Sequence, residues 1–421
     1  MLWVALILSK YNRLTSNFLI FGQKIPMTFS KYAVLTKNAL FVSPVLGVVF
    51  LWVQLKKGVD KGAVFVVSFL FAILSMRYVP SFSNDKARYI ERSETFSEYS
   101  FGDYVGYLRE TLRPDYLFDF LNFTLSVSGV NVRYFFFLIT FCTIFSVLLF
   151  FKKSLRVLAA PNFRFSNLIF IFFVLSISLP GLFSGLRFML AGSFFVWFIY
   201  FSYIDKCVGK AAFFAFIALS THFSYSYLLV MLGLAYWVSN IGVLRALLVV
   251  SLGFYLVPVS LLASIFGGLS LSDGYHHKLS LYTELDRDVS KNAIILSHVR
   301  NIWFYFAVLY LVFDKDKSNK IFLSVLLLLF SSVNFVNSIP VAFYRYIGFA
   351  KVIFLLYLLS KFVSGRLSNN YFYCFFVLYA LGFMVDVLVL RVNFQESFFS
   401  AESLLTVFAI YFEDSVHEVM D

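Results

Sequence analysis

Apolar runs long enough to cross a bilayer alternate with short polar stretches along most of the chain. They fall at about 39–55, 62–79, 133–151, 186–204, 246–266, 294–313, 320–338, 342–360 and 371–390. Shorter runs cover 166–179, 211–221 and 223–238, and a weak one covers 398–412. A spanning helix needs about 20 apolar residues, but broken helices packed against partners permit shorter pieces. The pattern predicts an all-α, polytopic integral membrane protein of roughly 11–13 transmembrane helices, some of them broken. It divides into an N-terminal interfacial segment (1–37), a polytopic membrane domain (38–390) and a weak C-terminal helix with a tail (391–421). No internal repeat of the kind many transporters carry is visible.

The polar interruptions set an orientation. Basic residues cluster at Lys56–Lys57–Lys61, Lys152–Lys153–Arg156–Arg164, Lys206–Lys210, Arg245, Lys315–Lys317–Lys320 and Lys361–Arg366. All six clusters share one side if 166–204 is two helices joined near Pro180 and 211–238 is two helices joined near His222. By the positive-inside rule that side is cytoplasmic. The N-terminal Lys10, Arg13, Lys24, Lys31 and Lys37 depart from the rule, so the first segment is the weakest part of this topology. Two long polar loops, 80–133 and 267–292, then lie on the opposite face. The short turns at Pro180–Gly185, Thr221–Ser224 and Asn337–Arg345 open there too.

Composition narrows the class. Of 421 residues, 60% are hydrophobic and only 14% charged, which excludes a water-soluble domain of this size. The net charge of +12 does not indicate nucleic acid, because the basic residues sit in short loops between apolar runs. Cys142, Cys207 and Cys374 form neither a disulfide framework nor a metal spacing. The opening MLWVALIL is too short to span and lacks the basic region of a signal peptide. There is no P-loop, HExxH, GxSxG or dinucleotide fingerprint.

A few polar residues stand where hydrocarbon chemistry does not explain them. Arg187 follows the Pro-Gly break of "SISLPGLFSGLRF", and Arg345 follows Pro340 in "NSIPVAFYRYIGFAK". Irregular backbone at membrane depth is tolerated only when buried in protein or lining a cavity. Two such arginines suit a diphosphate, since a guanidinium binds phosphate oxygens bidentately. The plain alternatives are a snorkelling helix-end arginine and, for Tyr344–Arg345–Tyr346, an interfacial belt anchor. His222, at a polar break in "THFSYSYLL", suits a general base, a phosphate hydrogen-bond donor or a simple packing contact. Asp85 and Tyr89 in "NDKARY" share a helix face, with Arg88 and Arg92 on the neighbouring one. That set suits a sugar-phosphate, or else an ordinary solvated helix with ion pairs. His276 and His277 beside Asp273 are weak as metal ligands, and no metal site is expected.

In order along the chain, "NDKARY", "RPDYLFDFLNFTLSVSGVN", "SGLRFMLAGSFFVWFIYF", "THFSYSYLL" and "YRYIGFAK" resemble the EpsG-type, Wzy-like family of bacterial polysaccharide polymerases. The resemblance covers roughly residues 35 to 390. It implies a GT-C-like fold in the bacterial inner membrane, multi-pass, with its active site towards the periplasm. It implies metal-independent transfer of a growing O-antigen or capsule chain from undecaprenyl diphosphate onto a new lipid-linked repeat unit. It further implies no cofactor, and a chain-length regulator protein as a partner besides substrate and bilayer. On that reading His222 and Asp85 carry the proton chemistry, Arg187, Arg345 and Arg88 hold diphosphate, and Tyr89 and Tyr344 contact sugar. A flippase of lipid-linked oligosaccharides is the main rival, although it would bring charges into helix middles from both sides. A membrane acyltransferase fits less well, since the candidate histidine lies at the outer face.

Overall fold

A computed structural model describes residues 19–20, 23–24, 61–80, 85–111, 115–158, 167–238, 240–257, 291–315 and 319–398. The runs expected at 39–55 and 398–412, the end of the 246–266 run and the loop 267–290 with His276, His277 and Asp273 lie outside the described residues. Near the N-terminus two short strands, β1 (Leu19–Ile20) and β2 (Gln23–Lys24), pair antiparallel. Everything else described is helical or connects helices.

The first apolar helix is α1 (Lys61–Arg77). The stretch expected as a polar loop is largely helical: α2 (Asp85–Ser97), α3 (Phe101–Thr111) and α4 (Tyr116–Val127). The reason is legible in the pairing of α2 with α4. The Tyr89 and Phe118 rings pack at a tilt, 4.8 Å apart, and Ser93 and Ser126 share a 2.7 Å hydrogen bond. This gives the segment a small core of its own, shared with the start of α5 (Val132–Leu158). At 27 residues α5 reaches about 40 Å, enough to cross with some tilt.

The 166–204 region breaks as its Pro-Gly step predicts, with an extra turn of helix between. Helix α6 (Asn167–Ser176) stops, α7 (Leu179–Phe183) runs for five residues, and α8 (Leu186–Ile199) resumes and continues as a π-turn over Tyr200–Ile204. Pro180 has no N–H and sits in the first turn of α7, where none is needed. The Ser178 hydroxyl accepts from the Gly181 N–H at 3.3 Å. A Cβ on Gly185 would stand 3.1 Å from the Gly181 carbonyl oxygen, so the tight turn leaves little room for a side chain.

After α8 come α9 (Val208–Thr221) and α10 (Tyr225–Gly233), joined at His222 as expected. Helix α11 (Ile241–Ser251) continues as a 3-10 turn to Leu256. The apolar run 294–313 is not one helix. It divides at Asn301 into α12 (Lys291–Arg300) and α13 (Ile302–Phe313). Then follow α14 (Lys320–Phe335), α15 (Pro340–Val363) and α16 (Asn369–Val389). A final helix, α17 (Arg391–Phe398), packs its Phe394 ring against Tyr78 and Phe183.

Among the described residues four helical stretches are long and apolar enough to span: Val132–Leu158, Leu186–Ile204, Ala342–Val363 and Asn369–Val389. Five shorter apolar helices accompany them. The architecture is therefore that of an all-α, polytopic membrane protein. Its main core is aromatic and leucine-rich and centres on α8, α14 and α15.

Candidate functional site

The site forms where five helix ends meet. Asp85 opens α2, where a carboxylate suits the positive end of the helix dipole. The next residue anchors it. Lys86 is almost fully buried and donates to the Ser75 carbonyl in the last turn of α1 and, at 2.8 Å, to the Tyr78 carbonyl just past it. Its ammonium lies 4.6 Å from the Phe136 ring. Burial first, and nearby Arg133 second, hold Lys86 well below the ordinary lysine range.

Two arginines approach from separate breaks. Arg345, in the second turn of α15, meets Asp85 at 3.2 Å, and Arg88 binds the other oxygen of that carboxylate. Arg187, the second residue of α8, pairs with Asp115 at 3.0 Å. The Arg187 side chain is 17% exposed and that of Asp115 is 4% exposed, so the pair is largely desolvated. The Arg187 Nε is buried with no hydrogen-bond partner among the described residues, which leaves a donor for a ligand. A fourth pair, Arg92 with Asp119 at 2.6 Å, ties α2 to α4.

Tyr89 links these pairs. Its ring is buried among Phe118, Phe135 and Leu186, while Arg187, Asp85, Arg345 and Arg92 all act on its hydroxyl electrostatically. Burial raises the Tyr89 pKa, against the pull of Arg187, so the hydroxyl stays protonated and able to donate. Its position is that of a packing residue with only its polar tip towards the charges.

His222 reaches the same cluster through Asp115. The second oxygen of Asp115 accepts the Phe223 N–H at 2.6 Å, which fixes the α9–α10 turn against the start of α4. Within that turn the Ser224 N–H points at His222 Nδ1 at 3.3 Å, and the Ser224 hydroxyl lies 2.8 Å from the same atom. A backbone N–H can only donate, so Nδ1 is the acceptor and the neutral ring carries its proton on Nε2. Phe188 packs its ring against His222 edge-on at 5.5 Å and stacks on Tyr225 at 4.8 Å. The Tyr346 hydroxyl donates to the Ser224 carbonyl at 2.7 Å and so joins α15 to the same turn.

The structure thus gathers Asp85, Arg88, Tyr89, Arg187, Arg345 and His222. Tyr344 does not join them. Its hydroxyl meets Ser297 of α12, and it lines a different pocket. Sequence reasoning missed Asp115, Asp119 and Ser224, and treated Arg92 only as a neighbour. Asp115 had one available signal, an acid directly after Arg113–Pro114 at the start of an apolar helix. Four arginines stand against three aspartates in these contacts, one positive charge in excess. Arginines in excess are chemically suited to an anion, and carboxylates to accepting a proton. Among the described residues no group of three His, Cys, Asp or Glu is placed to hold a metal.

No curated protein and no solved structure matches this chain. A family model does, that of the EpsG family, over residues 61–400. The match takes in every residue of the cluster, from Asp85 to Tyr346, and most of the chain. The chain belongs to the EpsG family, whose members are Wzy-like, polysaccharide-polymerase-type membrane proteins.

Proposed function

We propose that this protein polymerises undecaprenyl-diphosphate-linked oligosaccharide repeat units at the periplasmic face of the bacterial inner membrane. The observation that carries the reading is the convergence of Arg187 and Arg345. They come from two different helix breaks, and each is held by a buried or half-buried aspartate beside Tyr89. A lipid diphosphate is the leaving group that such a pair stabilises as its charge develops.

On this reading each group has a role in the transfer. The hydroxyl oxygen of the acceptor sugar attacks the anomeric carbon of the donor chain. The bond from that carbon to the phosphate oxygen breaks, and its electron pair leaves on the diphosphate. Arg187 and Arg345 bind the diphosphate, and the Nε2–H of His222 donates to it. This tautomer makes His222 a phosphate donor rather than the base. The acceptor proton passes to Asp85, which phosphate releases from Arg345 by competing for the guanidinium. Asp115, with both oxygens engaged, orients Arg187 and the histidine turn together.

The cluster sits at one end of α15, as a transferase site on one membrane face requires. The opposite end of α15 carries its own closed set, in which Lys361 binds Asp314 at 2.7 Å and Tyr357 donates to the same carboxylate. The test is polymer length on gels from a deletion strain carrying Arg187→Ala or Arg345→Ala at matched membrane abundance. Both variants are expected to leave single repeat units. Full-length polymer from both would make the arginines interfacial anchors and end the proposal. The periplasmic placement is checked by Ser97→Cys in a cysteine-free chain, which should label with an impermeant thiol reagent in intact spheroplasts. Labelling only after lysis would invert the topology.

A further inference from the structure

A second group of buried charges lies on another face of α15. Tyr344, Gly348 and Lys351 follow one another at helical spacing, and with Ser178, Arg300 and Asp386 they line a small pocket. None of these residues takes part in the transfer described above.

Part of the arrangement answers the helix break. The interruption between α6 and α7 strands backbone groups that membrane interiors do not leave unpaired. Lys351 Nζ donates to the Leu175 carbonyl at 3.1 Å, and Asp386 accepts the Leu179 N–H at 3.1 Å. Arg300 then bridges the two sides, with Nε 2.5 Å from Asp386 and Nη2 donating to the Ser178 hydroxyl at 3.0 Å.

That role does not use up the donors. One carboxylate faces two cations, so a positive charge is left in excess. Among the described residues Arg300 Nη1 has no hydrogen-bond partner, and Lys351 spends one of its three N–H groups on a hydrogen bond while lying over the Tyr379 ring at 4.8 Å. An excess buried cation is costly unless an anion meets it. A guanidinium edge, an ammonium and a hydroxyl around one space are the groups that bind phosphate. Gly348 keeps that space open, since even a Cβ there would only reach ordinary contact with Ser178 at 3.9 Å.

The surroundings name the source of the phosphate. Val299 beside Arg300, and Leu381 beside Gly382, leave apolar side chains exposed on α12 and α16 next to positions that line the pocket. Helix α16 is one of the long apolar spans, so the exposed apolar side chains beside the pocket face hydrocarbon. We propose that the pocket is a second binding site, for the phosphate head of a membrane lipid whose chain lies along α12 and α16. It shares no residue with the Arg187–Arg345 cluster, so the two proposals fail separately.

The test uses the full chain in detergent with farnesyl phosphate as probe, inorganic phosphate as the headgroup alone, and melting temperature recorded on each sample. Arg300→Gln and Lys351→Gln are each expected to weaken farnesyl phosphate binding at least tenfold. Because both also touch the helix break, Gly348→Val is the deciding variant. It fills the pocket without removing a charge, and should lose binding equally while melting as the native chain does. Arg345→Ala should leave this binding in place. Native affinity in Gly348→Val, or loss of all binding in Arg345→Ala, overturns the site. Equal affinity for inorganic phosphate overturns the lipid as its ligand.

Discussion

Asp115→Asn is the sharpest perturbation of the cluster because it changes one group and almost no volume. Asn keeps an oxygen for the Phe223 N–H, now at 2.6 Å, so the α9–α10 turn stays seated. It replaces the oxygen that faces Arg187 Nη1 at 3.0 Å, and leaves that guanidinium without its counter-charge. Breaking a buried ion pair by removing one partner costs about 3–5 kcal/mol. Arg187 is 17% exposed, so water recovers part of this, and about 2–4 kcal/mol is the expected range. If that loss falls on the binding of the transition state, the rate drops by about 30-fold to about 1000-fold.

The assay is the initial rate of polymer formation from lipid-linked repeat units by the purified chain, with a thermal melt of the same sample. The double variant Asp115→Asn with Arg187→Gln decides how the loss arises. If Asp115 acts by orienting Arg187, the double variant is no slower than Arg187→Gln alone, because the coupling is already gone. Two penalties that simply add would show that Asp115 acts elsewhere. A native rate in Asp115→Asn would show that Arg187 needs no counter-charge, and the proposed geometry of the leaving-group site would fall with it.

Gly192→Ala should lower the melting temperature, since its Cβ would stand 2.5 Å from the Tyr225 hydroxyl and overpacking costs about 1–3 kcal/mol. Adding Tyr225→Phe should restore most of the loss, and a native melt for Gly192→Ala alone would refute the packing argument. Lys86 binds fewer protons folded than unfolded, so its burial cost is felt at neutral pH and fades as pH rises towards the ordinary lysine value near 10.5. The native chain should therefore gain more stability between about pH 8 and 10 than Lys86→Met does, and parallel melting curves across that range would contradict the assignment.

The transmembrane pattern was legible because hydropathy and Pro-Gly punctuation act locally. The break near Pro180 and the turn at His222 fall where composition places them. The division at Asn301 was not legible. A lone Arg300–Asn301 step inside an apolar run reads as a tolerated polar pair, and what holds Arg300 there is Asp386, far along the chain. The helical spacing of Asp85, Arg88, Tyr89 and Arg92 was legible, but the packing that makes most of 85–127 helical was hidden for a related reason. Its strongest ties are pairwise, Arg92 with Asp119 and Tyr89 with Phe118, and no local pattern announces either.

The same contrast runs through the site. Arg187 and Arg345 stand out in sequence because each guanidinium follows a proline break inside an apolar run, where its charge is costly unless it is paired or reaches the interface. Asp85 is also legible, through its helical spacing to Tyr89 in "NDKARY", but Asp115 does not stand out, since it lies in a polar stretch where an acid is unremarked. Asp386 and Lys351 are different. Each is a charge within an apolar run, a signal as strong as that of Arg187, yet neither follows a proline. Their partners are the backbone groups of a break in another helix, Leu179 N–H and Leu175 C=O. A break leaves backbone groups unpaired, and the residues that pair with them are placed by helix packing alone. In a membrane protein a Pro-Gly break thus predicts that buried charges exist somewhere in the chain, and only the fold says which ones.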